Sequence, residues 1–283
     1  MNIHRRVLVF NDAAGSGSPP EHIFDKFERV PVLETTEALS ERTLDADTLV
    51  AVWGGDGTCR SVAGLLNGTN AALLPCPGGT HNHFARAAGI ESVDDVEKAI
   101  HSESTELVDV GMFGNEVFLN NANVGWYVDL VERRQRFESR MPRKFAKGLA
   151  LLVQLGRTRR FRVMIDGIEE RVWMVWIGNG RFALAPTALT QRDDLGDGML
   201  DLRILRAGRH LPKLRAFLVL LSGRAEESSG LDRRIVPAID LTFKRPIVRV
   251  ALDGELAVAR SPVRVRCVTR SLSLRVPEER QHL

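Results

Sequence analysis

The sequence predicts an open α/β domain with parallel strands, followed by a mainly antiparallel β domain. Three observations carry this. Short apolar runs alternate with helical spacing through the first third of the chain. One run, Leu49 to Trp53, ends abruptly in the turn Gly54-Gly55-Asp56-Gly57-Thr58. From about Leu107 the texture changes to short β-rich pieces. The division falls at 110/111, giving an α/β domain over 1–110 and a β domain over 111–283.

Val7–Phe10 reads as the first strand and leads into the small-residue turn 11–18. Residues 21–29 read as a helix and Val30–Leu33 as a short strand. Thr48–Trp53 is apolar on both faces, as a buried parallel strand requires. Val62, Leu65 and Leu66 have helical spacing, so a helix starts near Thr58. Ala71–Leu74 is another strand, ending in Pro75-Cys76-Pro77-Gly78-Gly79-Thr80. Asn82–Ala88 reads as a helix with Gly89 as its stop. In such a sheet the loops after the strands line the ligand crevice. Later strands are expected at Leu107–Met112, Glu116–Ala122, Arg160–Ile165, Val172–Ile177, Met199–Leu205, Val236–Phe243, Ile247–Leu252, Val263–Val268 and Ser271–Val276. Helical stretches fall at about 128–155 and 210–223.

The composition is that of a soluble globular protein: 283 residues, 44% hydrophobic and 27% charged. No apolar run approaches the length of a membrane span. The apolar run after Arg5-Arg6 is too short for a signal peptide. Cys59, Cys76 and Cys267 are odd in number and far apart, which fits a reducing cytosol. The net charge is +3, but eleven Lys and Arg residues crowd between Glu132 and Arg162, against Glu132 and Glu138. That run suits an anionic membrane surface or is a solvated helix face. With a single tyrosine and no recognisable module, nucleic acid is not expected as a partner.

Strand, glycine turn and helix N-terminus together form a phosphate cradle of exposed N–H groups. The turn is neither a P-loop, lacking Gly-Lys-Ser/Thr, nor a dinucleotide fingerprint. Its glycines let the chain turn sharply and let a ligand approach. Asp56 inside an anion-binding turn is explained if it holds Mg²⁺ beside nucleotide phosphates. A plain βα turn with a solvated carboxylate is the alternative.

Four segments in order resemble the diacylglycerol kinase catalytic family, which includes bacterial lipid kinases and sphingosine kinases. They are Asn11…Gly15-Ser16-Gly17, Gly54-Gly55-Asp56-Gly57-Thr58, Pro77-Gly78-Gly79-Thr80-His81-Asn82-His83-Phe84-Ala85-Arg86, and Asp197-Gly198-Met199-Leu200-Asp201 followed by Leu252-Asp253-Gly254-Glu255. The resemblance implies a nucleotide domain and a C-terminal β-sandwich, with the active site in the cleft between them. It implies phosphoryl transfer from Mg·ATP to a lipid hydroxyl, diacylglycerol-like by preference. ATP contacts would come from Asn11, Ser16, Thr36 (or Thr35), Gly54, Gly55, Asp56, Gly57, Thr58, Thr80 and Asn82. Of Asp253 and Glu255, one would be the general base and the other would tune it. Asp197, with backbone carbonyls of Asp194 and Met199, resembles a second Mg²⁺ site. The resemblance also implies a cytoplasmic enzyme at the membrane periphery, and dimers occur in that family.

The sequence departs from the pattern at Asp12, at Cys59-Arg60-Ser61, and at His83, where the family has aspartate. His81 and His83 would diverge if both lay on a helix, and no third metal ligand accompanies them. A soluble-acceptor kinase resembling NAD kinase and a regulator that binds without transfer are the competing readings.

Overall fold

The computed structural model describes residues 3–11, 17–34, 39, 44–102, 104–138, 160–183, 192, 194–207 and 231–278. The chain divides into two compact units. One comprises Met1–Val110, Leu195–Asp197 and Val268–Leu283. The other comprises Gly111–Asp194 and Gly198–Cys267.

In the first unit, β1 (Arg5–Phe10), β2 (Glu28–Pro31), β3 (Thr48–Gly54) and β4 (Ala72–Pro77) form parallel ladders in the order β2-β1-β3-β4. Every residue of β3 is buried, which explains its unbroken apolar run. The helical segment α1 (Glu21–Phe24) is shorter than the expected 21–29. Pairing with β1 draws Glu28 and Arg29 into β2 instead, so tertiary pairing overrides the local pattern. Pro31 ends β2, which lies at the sheet edge where a missing N–H is tolerated.

Helix α2 (Asp56–Leu66) follows β3 and buries Cys59, Val62, Ala63 and Leu66. Its start lies two residues before the expected Thr58. Helix α3 (His83–Ala87) follows β4 and is stopped by Gly89, at φ +74°. Helix α4 (Val93–His101) begins with a capping box between Ser92 and Asp95.

The second unit is antiparallel. Its strands are the end of β5 (Thr105–Phe113), β6 (Glu116–Phe118), β7 (Asn121–Gly125), β8 (Phe161–Ile165), β9 (Ile168–Asn179), β10 (Leu200–Arg206), β11 (Leu231–Val236), β12 (Ala238–Phe243), β13 (Ile247–Leu252), β14 (Glu255–Arg260) and the first half of β15 (Val263–Arg275). Long β9 belongs to two rows, β14-β13-β7-β9-β10-β11 and β9-β8-β12-β15. The rows share one core. Val124, Ile177, Leu202, Val250 and Leu252 from one meet Val163, Ile165, Leu241 and Val265 from the other. That is a β-sandwich. On the outer side of the first row, helix α5 (Trp126–Glu138) packs Val128 and Val131 on Ala251.

The expected strand Glu116–Ala122 is split at Leu119-Asn120, where the backbone turns to bind a distant side chain. Strands β11 and β14 have no counterpart among the expected elements. The two expected C-terminal strands are one, β15, with a left-handed residue at Arg270 (φ +49°). Its amide donates to Asp109 Oδ1 at 2.8 Å. The second half of β15 returns to the first unit, where Ser273 and Leu274 pair parallel with β4. The helical stretch at 210–223, and the basic segment from 139 to 159, lie outside the described residues.

Candidate functional site

In the first unit the turns after β3 and β4 touch backbone to backbone. A Cβ on Gly78 would meet Gly54 N at 2.5 Å and the Trp53 carbonyl carbon at 2.9 Å. A Cβ on Gly79 would overlap the Gly55 Cα. Gly54, Gly55 and Gly57 are not in the left-handed region, and Gly55 has φ −85°. The expectation that these glycines serve a sharp turn is therefore corrected: none of them needs a left-handed torsion, and the close approach of two backbones demands glycine at Gly78 and Gly79 of the facing turn. Above Gly55 there is room, since a Cβ there would meet only Gly79 Cα, at 3.7 Å.

No side chain caps α2, and its first intrahelical amide bond runs from Cys59 to the Gly55 carbonyl. Among the described residues no acceptor takes the amides of Gly57 and Thr58. These open donors at a helix N-terminus fit phosphate oxygens. Asn11 lies beside them. Its Nδ2 donates to Thr58 Oγ1 at 3.4 Å and its amide to the Trp53 carbonyl. The Trp53 indole donates to the Gly17 carbonyl at 2.9 Å. Thr80 is exposed on the neighbouring turn. Ser16, Thr35 and Thr36 lie outside the described residues.

Asp56 turns its carboxylate away from its own helix. Oδ2 accepts from His83 N at 3.2 Å and Oδ1 from Phe84 N at 2.9 Å. The carboxylate thus serves the first amides of α3, which stabilises a negative charge in this turn without any cation. The hard oxygens of a carboxylate suit Mg²⁺ as a ligand. Asn82 is the pin of the second turn. In a left-handed conformation (φ +52°), it accepts from Gly79 N and donates to Gly79 O, both at 2.8 Å.

That left-handed residue also keeps the two histidines off a common helix. His81 precedes α3 and His83 opens it, and their rings stack in parallel with centroids 5.4 Å apart. The His83 Nδ1 is buried without a hydrogen-bond partner. Burial pushes the His83 imidazole below its ordinary value; the Asp56 charge pulls it up and Arg86 pushes it further down. Among the described residues no group of three His, Cys, Asp or Glu side chains could hold a metal.

In the second unit, Asp253 and Gly254 form the two-residue turn between β13 and β14, with φ +50° and +83°. Leu252 pairs with Glu255 across it. Positive φ at both positions is what a type I′ hairpin needs. The Asp253 carboxylate accepts three backbone amides: Leu119 N at 2.8 Å, Asn120 N at 2.8 Å and Asn121 N at 2.9 Å. Its own amide donates to the Asn121 carbonyl.

This 119–121 nest is held by a residue the sequence reading did not single out as functional. Fully buried Asn179 donates from Nδ2 to Leu119 O at 3.1 Å and from its amide to Asn120 O at 2.9 Å. Glu255, by contrast, has an exposed side chain at the start of β14. Tyr127 of α5 is also near. Burial raises its phenol above the ordinary value, with Arg134 opposing and Asp253 adding to the rise.

The Asp194–Met199 loop is shared between the units, with Leu195–Asp197 grouped in the first and Asp194, Gly198 and Met199 in the second. The Met199 carbonyl accepts from Gly180 N at 2.8 Å, and Gly198 is left-handed at φ +72°.

The chain carries a parallel α/β sheet ending in open helix amides together with a β-sandwich and its carboxylate turn, two units of one polypeptide. A family model described as the diacylglycerol kinase catalytic domain matches residues 5–113. A Pseudomonas putida protein named "Probable lipid kinase YegS-like" is 30% identical over 86% of this chain and 84% of its own. A Mycobacterium tuberculosis protein named "Diacylglycerol kinase" is 26% identical over 97% of this chain and 86% of its own. The crystal structure of a diacylglycerol kinase from Bacillus anthracis shares the fold, with a TM-score of 0.65 and 19% identity over 97% of each chain. The chain belongs to the diacylglycerol kinase catalytic-domain family, a family of lipid kinases. Among the described residues no helix is long and apolar enough to cross a membrane.

Proposed function

We propose that the protein transfers the γ-phosphate of Mg·ATP to the hydroxyl of a lipid, diacylglycerol-like by preference, at the periphery of a membrane. The observation that carries this is the uncapped start of α2 above Gly55, in a chain of a lipid kinase family. The open amides of Gly57 and Thr58 bind phosphate oxygens. Asp56, already fixed by the amides of α3, contributes one ligand to the cation. When bound, Mg²⁺ supplies neutralisation of the charge on the transferring group.

Of the two carboxylates in the second unit, we assign the base to Glu255. Asp253 gives its carboxylate to three backbone amides and fixes the turn, which makes it a positioning residue. Glu255 has an exposed side chain at the start of β14, where a hydroxyl can reach it. It takes the hydroxyl proton as the lipid oxygen bonds to the γ-phosphorus and the bond to the β-phosphate oxygen breaks, releasing ADP. The second Mg²⁺ site at Asp194, Asp197 and Met199 belongs to the proposal as a structural site. Its test is a change in thermal stability with Mg²⁺ that is lost in Asp197→Ala.

The function is tested by following labelled γ-phosphate from Mg·ATP into a panel of lipid alcohols in mixed micelles, beside Asp56→Ala. Label in one lipid class, lost in the variant, is the expected result. Label entering only a soluble acceptor, or ATP binding without transfer, would overturn the proposal.

A further inference from the structure

We infer that the outer face of the β13–β14 hairpin is a docking surface for an anionic lipid bilayer. The inference rests on the lipid kinase reading and assigns it a membrane contact. Opposed residues of an antiparallel ladder share a face. Ile247 opposes Arg260, Arg249 opposes Val258, and Ala251 opposes Leu256. The other face, with Val250 and Leu252, belongs to the sandwich core.

Helix α5 covers Ala251, and Arg249 is drawn to Asp129 and Glu132. Besides Arg260 and Arg249, which keeps 55% of its side chain in solvent, what stays exposed on this face is aliphatic. Ile247 is 61% exposed, Val258 65% and Leu256 37%. Around these lie exposed Lys244, Arg245 and Arg260, which have no acidic partner among the described residues. Among the described residues β14 pairs only with β13, so the patch lies on an open edge.

An apolar centre with a predominantly cationic rim (Lys244, Arg245, Arg260) matches the interface of a bilayer carrying anionic headgroups. The other strongly exposed isoleucine lacks this setting. Ile168, also 61% exposed, lies by the Arg162–Glu169 ion pair, where the charges cancel. A second copy of the chain is a poorer occupant, because two identical cationic rims would be brought together. The hairpin also carries Glu255, three residues and so about 10 Å along the strand from Val258 and on the opposite face, in phase with Ala257 and Ala259. Docking through the outer face brings the turn that carries the proposed base near the membrane surface.

The test is cosedimentation of the full chain, without nucleotide, with phosphatidylcholine vesicles lacking or containing phosphatidylglycerol. Wild type is expected to bind the phosphatidylglycerol vesicles and to be released by salt. The double variants Ile247→Asp/Val258→Asp and Lys244→Glu/Arg245→Glu should each bind about tenfold more weakly or worse, and Ile168→Asp should bind as wild type. Melting curves establish that the variants fold, and the charge-reversal pair decides if the aspartate pair does not. Three results would overturn the inference: double variants that bind as wild type, wild type that ignores anionic vesicles, or a wild-type dimer that the aspartate pair splits. Phosphate transfer in detergent micelles keeps the two readings apart. Transfer that persists in the double variants leaves the chemistry standing whatever the vesicles show, whereas its absence from wild type overturns the kinase proposal alone.

Discussion

Asp56 and Asp253 each stand beside a glycine, and each gives its carboxylate to backbone amides of a neighbouring turn. The glycines are there for opposite reasons. Around Asp56 the demand is space. Gly78 and Gly79 let one turn lie on another, and none of Gly54, Gly55 and Gly57 needs a left-handed backbone. At Asp253 the demand is torsion, since Gly254 has φ +83° and open space where a Cβ would go. The anions differ as well. Asp56 takes two amides and leaves the start of α2 open, whereas Asp253 takes three. In the proposed reading one turn receives a ligand, and the other positions a side chain while Glu255 acts as the base.

The sharpest way to break this contrast is substitution of the glycines. Gly79→Ala forces two backbones apart and should cost about 3 kcal/mol or more, read as a large fall in melting temperature. Gly254→Ala should cost only about 1–2 kcal/mol, the left-handed penalty of an L-residue, and Gly254→Asn should recover part of it. Equal costs at the two positions would erase the distinction between space and torsion. Gly55→Ala has room in the protein, so it should leave stability alone and weaken nucleotide binding.

Next in size is the effect on turnover. Glu255→Gln is expected to lower kcat about 100-fold or more, the usual share of a general base, with an unchanged melting temperature. Asp253→Asn places an NH₂ group or a weaker acceptor against three amides and should cost about 2–3 kcal/mol of stability. Chemical denaturation of the two variants measures both.

The smallest effect concerns His83. Its folded value lies below that of the unfolded chain, so the unfolded state takes up a proton first as pH falls. The stability associated with neutral His83 is complete above about 6.5 and declines as pH drops through the folded value. Melting temperatures of wild type and His83→Gln between neutral and mildly acidic pH should converge at the acid end if His83 is the more stable at neutrality. A difference that ignores pH would remove titration from the account.

Much of this was legible in the residues. The apolar run of β3 announced a buried strand, and the alternation of Ile247–Leu252 fixed β13 to the residue. Strand β14 was not, because Ala257 and Ala259 fill its inner positions and its aliphatic residues face outward. The break between β6 and β7 had no local signal. Its cause is Asp253, more than 130 residues later in the chain, taking the amides of Leu119 to Asn121. The return of β15 to the first unit was equally silent, since one strand with a left-handed Arg270 reads as two. The candidate carboxylates were visible as residue types, but their partners are backbone amides, which carry no sequence signature. Asn179 was not singled out as functional; its role as the clamp of the nest depends on contacts that no spacing reveals.

The division of labour between the carboxylates is the central claim, and the most direct measurement is the pairing of turnover with stability in Glu255→Gln and Asp253→Asn under identical conditions. The account predicts that Glu255→Gln folds as wild type and is nearly inactive, while Asp253→Asn is destabilised and keeps residual transfer at temperatures where it is folded. A fully active Glu255→Gln, or an Asp253→Asn protein of wild-type stability without activity, would contradict it and return the base to Asp253.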